Sequence, residues 1–525
     1  MRYEVGTILL RRLSRLEVDK ALFVVANLLN VGVGGSIPST VATSLAELNF
    51  RAAKRAMRLS GFDIASNYAG VGISLLPQDC WQSHRDFTLK LYTLATNVYG
   101  VLGNAETMQV MYDENLDPNR ASTLAMMTNK TALDAMKILS TLLVLVYVSN
   151  KIELPVVTSK MVALVNEFGV CDEAANAYAY RGGMATNLKV IDAHAKCTQI
   201  IMERSKDRYS KAASKLYIDC LQSYTHDIRS VQDSLYENYH YSSQVGDIQM
   251  SLYSYMVFLK FEVVNGRSLR AASEETRENI RNIKRMNRGW QVHLMSIMFQ
   301  AILNMLGQSE DPLVLKGEAM DETVLDDPAA CDNLGDALRH GFKGIIFAFC
   351  GNHQANAEET LEKIPFIVEA TSGNAIRLWF EIYVAISCLH CARSSDKRSS
   401  KYRRYGKQTS KKTKIWIAQG CPNLKQLDLL LDAELAVLDK NPMKARRFYR
   451  ASIEAGKKGY RVNDAGMASE RLGEYLLSIN DRDGAKEALV EAMELYSMWE
   501  SDHKVESIRS KHEELIRPVS VIRQD

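Results

Sequence analysis

Along most of this chain, apolar residues return at i, i+3 and i+4, the spacing that lines one face of a helix. The clearest stretch is Ala468 to Glu500. Leu472, Tyr475 and Leu476 line a first helix, and Leu489, Met493 and Tyr496 line a second. Between them the polar cluster Asn480-Asp481-Arg482-Asp483-Gly484 stops one helix and caps the next. The pattern predicts a helical hairpin. Small residues occupy the positions where two antiparallel helices must touch: Gly473, then Ala485 and Ala492 at offsets of 12 and 19 with Leu489 between them at 16. A bulky side chain at the small positions would hold the axes beyond the roughly 8–10 Å of close helix packing.

Those offsets resemble the tetratricopeptide pattern, and one such hairpin carries more apolar surface than it can bury alone. Neighbours are therefore expected, and the pattern supplies them. Ala433, Ala445 and Tyr449 repeat the offsets 40 residues earlier. Near the other end, Val41–Leu59 and Ile64–Leu76 carry Ala53, Ala65, Ala69 and Gly72 at the same positions, followed by Pro77. Elsewhere the periodicity predicts helices at Tyr3–Leu13 and Asp19–Leu29, a further hairpin over Trp81–Tyr112 that turns at Gly103-Asn104, and helices at Leu124–Ile138, Val156–Phe168, Ala174–Arg181, Leu188–Glu203, Ser210–Ser223 and Ile228–Tyr239. It continues through Gln244–Val264 behind a Ser242-Ser243 cap, Leu269–Arg285, Trp290–Leu306, Asn333–Cys350, Ala355–Ile364, Asn374–Ala392, Leu424–Leu438 and Pro442–Ala455. Aromatic residues at helical spacing, from Tyr217 through Phe258, read as inter-helix packing. The fold class expected is all-α, an α-α superhelix of tetratricopeptide-like helical hairpins.

Three segments break the rhythm. Val31–Ser39 is glycine-rich but lacks the phosphate-loop order and reads as a linker. Asp311 to Asp336 is acidic and aperiodic, with Glu318, Asp321, Glu322, Asp326, Asp327 and Asp332, and reads as a surface loop rather than a cation site. Ala392 to Lys414 is dense in Lys, Arg and Ser and nearly free of aliphatic residues, so it is expected to be a solvated, flexible insertion unable to join a core. The organisation expected is a helical tail at 1–40, a repeat array at 41–391, the basic insertion at 392–414 and C-terminal repeats at 415–525.

Composition narrows the function classes. A net charge of +3 over 525 residues argues against a general nucleic-acid-binding surface and leaves only the basic 392–414 stretch for a phosphate or acidic partner. Nine irregularly spaced cysteines read as reduced thiols. The opening residues carry Glu4, Glu17 and Asp19 and do not read as a signal or transit peptide. The most apolar run, Ile138 to Val148, is too short to span a bilayer and is expected to be a buried helix. A cytoplasmic location is expected.

Candidate chemistry is sparse. Thr225-His226-Asp227-Ile228-Arg229 is similar to the phospho-accepting box of sensor kinases, but the proline after the arginine is missing and no glycine-rich ATP-binding half follows. Cys350-Gly-Asn-His353 and Cys388-Leu-His-Cys391 offer soft ligands in two x-x spacings that zinc could use if their helices met. Cys388 and Cys391 sit beside Ile386 and Leu389, where cysteine serves as a small core residue. No G-x-S-x-G, H-E-x-x-H, Walker or dinucleotide fingerprint occurs. No catalytic, cofactor-binding or metal-binding residue is assigned, and no cofactor is expected.

Several blocks, in order, resemble one family. Ser44–Trp81, Ser296–Glu322, and the C-terminal LLLDAELAVLDKNPMKARRFYRASIEAGKKGY and AMELYSMWESDHKV blocks look like the helical-repeat region of large signalling proteins that couple a STAND-type AAA+ ATPase to kinase and sensor domains. The resemblance implies that residues 1–40 correspond to the tail of an upstream ATPase module. It also implies a function as a non-catalytic scaffold or regulatory arm for protein–protein interaction in signal transduction, whose partner is another protein or a neighbouring signalling domain. The alternative it implies is a fragment of a larger ATP-binding ATPase or protein kinase whose catalytic domains lie outside this chain.

Overall fold

The computed structural model describes residues 2–32, 39–58, 62–77, 79–84, 87–88, 90–92, 94–95, 98, 118–149, 154–185, 187–284, 289–324, 333–394 and 397–516. Every regular element among them is helical, and the only β pairing is two isolated bridges, Met126 with Val170 and Lys316 with Asp321. The all-α class of hairpin repeats read from the sequence is what the chain adopts. The described chain divides into two compact units at Arg181/Gly182, a point inside the segment read as one array.

In the first unit, the helices Leu22–Asn30, Ser39–Arg58 and Phe62–Ser74 close one apolar core. Val25, Ala26, Ala46, Ala52, Ala53 and Ala69 are fully buried there. Ala and Gly let the backbones approach, and a Cβ on Gly72 would stand 3.2 Å from Leu91. The amides of Asn30 and Asn49 exchange two hydrogen bonds of 2.8 and 2.9 Å across the core. The helix expected at Leu124–Ile138 runs instead over Lys130–Ser149, because Met126 and Met127 are held extended by pairing with Val170. The apolar run expected to be buried is two-sided: Leu143 and Val146 are buried, whereas Ile138 is 69% and Leu142 41% exposed. No described helix is long and apolar enough to cross a membrane.

In the second unit the expected helices form with small changes of boundary. Ile228–Val245 is longer than the periodicity suggested, ends on Gly246 at φ 93°, and hands over to Asp247, which caps Ile248–Glu262 in place of the serine pair. Residues 353–370 form one rod in which Asn356–Thr360 is a π turn.

The C-terminal ladder has a strict period. Lys425–Leu438, Pro442–Lys458, Val462–Ser478, Arg482–Trp499 and Asp502–Lys511 follow one another, and the turns place Gly420, Lys440, Tyr460, Asn480 and Glu500 in the left-handed region. The next residue's N–H closes each helix on the carbonyl five positions back: Cys421 on Trp416, Asn441 on Ala436, Arg461 on Gly456, Asp481 on Leu476 and Ser501 on Tyr496, at 2.8–3.0 Å. This is the hydrogen bond of a Schellman termination. Alternate turns then dock on the preceding helices of the same unit. Asn423 Oδ1 accepts from Ile228 N at 3.0 Å, Arg461 donates to Asn265 O at 3.1 Å, and Ser501 donates to Met305 O at 2.5 Å.

The basic stretch departs from expectation. Ser399–Ala418 is a 20-residue helix. Tyr402, Gly406, Thr409, Thr413 and Trp416 form a buried seam, and Gly406 lies so close to Leu389 that a Cβ would overlap it. Its cations are partly neutralised by Glu381, Asp428, Asp432 and Asp439 on neighbouring helices. A polar helix joins the core here through aromatic and small side chains rather than aliphatic ones.

Candidate functional site

The densest polar chemistry gathers around Arg471, on the Val462–Ser478 helix. Its guanidinium donates to both oxygens of Glu434, Nε to Oε1 at 2.6 Å and Nη2 to Oε2 at 2.9 Å. The remaining edge meets two imidazoles, Nη1 with His353 Nε2 at 2.8 Å and Nη2 with His390 Nδ1 at 2.9 Å. Glu434 also accepts from Tyr449 Oη at 2.7 Å and from Arg393 Nη2 at 2.6 Å. The side chains of Arg471 and Glu434 are 3% and 0% exposed, so this is an ion pair removed from water. Such a pair persists only when its remaining hydrogen-bonding positions are also satisfied, and here they are.

Geometry fixes the protonation. A guanidinium only donates, so His353 Nε2 and His390 Nδ1 are lone-pair acceptors. His353 then carries its proton on Nδ1 and donates to Ser387 Oγ at 3.1 Å, which also receives Asn356 Nδ2 at 2.9 Å. His390 carries its proton on Nε2. Burial, followed by the Arg471 charge, lowers His353 well below the ordinary histidine range and His390 to about 4. Burial would raise Glu434, but Arg393 and Arg471 outweigh it and hold the carboxylate well below its usual range. At neutral pH the cluster is two neutral imidazoles around a charged pair.

Beside this cluster opens a cavity of about 480 Å³, lined by residues including Asn352, His353, Gln354, His390, Arg393 and Ser394. The turn after Ile376–Cys391 brings Arg393 to it, and the rod beginning at His353 brings Asn352 and Gln354. The π turn at Asn356–Thr360 follows directly, an irregularity often found at functional sites. A second buried network lies on the same ladder. Asp464 accepts from Tyr383 Oη at 2.6 Å and from Gln426 Nε2 at 2.8 Å, and burial raises it to about 6.

The two x-x motifs singled out in the sequence do converge, but on an arginine. His353 and His390 stack with centroids 4.3 Å apart, while Cys388 is buried and its thiol is pushed up by burial. No group of three His, Cys, Asp or Glu among the described residues is placed to hold a metal ion. His226 lies in a turn and not on a helix, and its neighbour Asp227 caps Ile228–Val245 by accepting from Arg229 N at 2.8 Å. In the acidic loop, Glu318 pairs with Arg277 and Glu322 with Lys343, whereas Asp326, Asp327 and Asp332 lie outside the described residues. Most of the glycine-rich break and the second half, 101–112, of the hairpin expected over Trp81–Tyr112 lie outside them too. Sequence reading missed Glu434 and Arg471. The available signal was a charged residue next in sequence to Ala433 and to Leu472, in helices whose small and apolar residues cover more than one face.

Compared with known proteins, the chain matches no family model and no curated sequence.

Proposed function

We propose that this chain is a non-catalytic helical-repeat scaffold, a regulatory arm that holds a protein partner or a neighbouring domain in signal transduction. The observation that supports this reading most is the ladder from residue 425 to 511. Its turns repeat every 20 residues in one conformation, and alternate turns are pinned to the preceding helices. Stacked hairpins of this kind present an extended, preorganised surface, and preorganisation reduces the ordering cost of binding. The Arg471 cluster fits the same role, since its charged groups are engaged with one another and fix the register of the helices carrying Glu434, Tyr449 and Arg471. The blocks that resemble the repeat region of ATPase-coupled sensor kinases suggest the signalling context.

The test uses the intact chain. Photo-crosslinkers placed at Gln354, on the cavity rim, and at Lys440, on the opposite class of turn, are activated in the native cell extract. The reading expects one discrete protein adduct that depends on crosslinker position and is competed by unlabelled chain. Turnover of ATP by the purified chain, lost on denaturation, would overturn it.

A further inference from the structure

The cavity beside the Arg471 cluster has a chemistry that scaffolding does not require. Its lining contains Asn352, Gln354, His390, Arg393 and Ser394, and no carboxylate. The volume of about 480 Å³ falls in the range of small-molecule sites. Behind the wall Arg393 and Arg471 meet Glu434 and Glu474, and beside it Glu358, bonded to Gln354, pairs with Arg398. Donors facing the cavity are left over. Arg393 spends Nη2 on Glu434 and Tyr449, and the rest of its guanidinium, on a side chain 24% exposed, lines the cavity. His390 accepts from Arg471 through Nδ1, which leaves its Nε2–H for an acceptor from outside. A guanidinium and an imidazole N–H on a wall that holds no carboxylate form a donor set suited to a planar or tetrahedral oxyanion.

We propose that this cavity is a binding site for a small molecule carrying an oxyanion, a carboxylate or a phosphate, held by Arg393 and by the Nε2–H of His390. Asn352, whose Oδ1 accepts from Ala355 N, contributes its amide nitrogen at the wall, Gln354 is engaged with Glu358, and Ser394 stands at the rim. Neutral His353 and His390 hold Arg471 without adding charge, so the guanidinium of Arg393 is the group that selects an anion over a cation.

The experiment follows the histidine ring resonances of the full chain, labelled at histidine, during titration at constant ionic strength. The probes are inorganic phosphate, acetate and, as a cationic control, tetramethylammonium. His390→Gln assigns the resonance, and exposed His226 reports non-specific effects. The expected result is a saturable shift of His390 with phosphate or acetate, none with tetramethylammonium, and none at His226. The two anions separate a phosphate ligand from a carboxylate ligand. Ser394→Asp, which places a carboxylate at the rim without touching the buried pair, is expected to weaken binding about tenfold or more, and Ser394→Asn to leave it unchanged. Arg393→Gln abolishes the shift, with the His353 resonance confirming that the Arg471 cluster is still assembled. A shift that never saturates, one equal for all three probes, or an affinity indifferent to Ser394→Asp would overturn the proposal.

Discussion

Replacing Arg471 by Met tests the energetic core of the second unit. The change removes two bonds to Glu434, of 2.6 and 2.9 Å, and two to His353 and His390, of 2.8 and 2.9 Å. Glu434, with 0% side-chain exposure, is left with Arg393 and Tyr449. Breaking a buried pair from one side costs about 3–5 kcal/mol, most of it the penalty of the stranded charge. Glu434→Leu should cost a similar amount, since it strands Arg471. The double replacement strands neither of the pair, and Arg393, 24% exposed, can turn toward water. The two changes are therefore expected to be non-additive by about 2 kcal/mol or more. Urea unfolding followed by tryptophan fluorescence reads mainly this unit, because four of the five tryptophans, Trp290, Trp379, Trp416 and Trp499, lie in it. A second readout is independent of stability. Without the neighbouring guanidinium, His353 and His390 should titrate closer to 6.5 in Arg471→Met. Single variants costing under about 1 kcal/mol, or strictly additive ones, would refute the assignment of this pair as a buried, mutually dependent unit.

Other outcomes follow from the same structure. Asp464 is raised from 3.8 to about 6 when folded, so its protonation favours the native state fully below pH 3.8, and this contribution is lost as pH rises through 6. Asp464→Asn should therefore gain on the natural chain by about 2 kcal/mol between pH 4 and pH 7, measured by urea unfolding at the two pH values. His390 has the opposite sign. Its folded value near 4 means that stability present above pH 6.5 is lost as pH falls toward 4, and His390→Gln should flatten that part of the acid profile. Gly420 sits at φ 110° with nothing within 4 Å of its missing Cβ, so Gly420→Ala tests the backbone alone and should lose about 1 kcal/mol. Lys440→Gly, at φ 53°, relieves the same left-handed strain and should raise the melting temperature slightly. Gly406→Ala forces a Cβ into Leu389 and should cost about 1–3 kcal/mol by calorimetry.

What the sequence determined by itself was whatever is written within one hairpin. The i, i+3, i+4 spacing around Leu472 and Leu489 is a local property, and so is the need for Gly473, whose absent Cβ would lie 2.7 Å from Leu489. The 40-residue repeat was legible for that reason. The finer 20-residue period was not, because left-handed turns filled by Lys440, Tyr460 and Glu500 carry no glycine to announce them. Tertiary structure decided the rest. Residues 392–414 look solvated by composition, yet the carboxylates that neutralise several of their cations, Glu381 and Asp428 among them, belong to other helices, and the Tyr402–Trp416 seam is buried only because Leu389 and its neighbours stand opposite. Arg471 and His353 are 118 residues apart, and nothing in either neighbourhood specifies the other. Periodicity encodes which face of a helix turns inward. Which buried charge finds which partner depends on how successive helices stack, and that is settled only when the whole unit has closed.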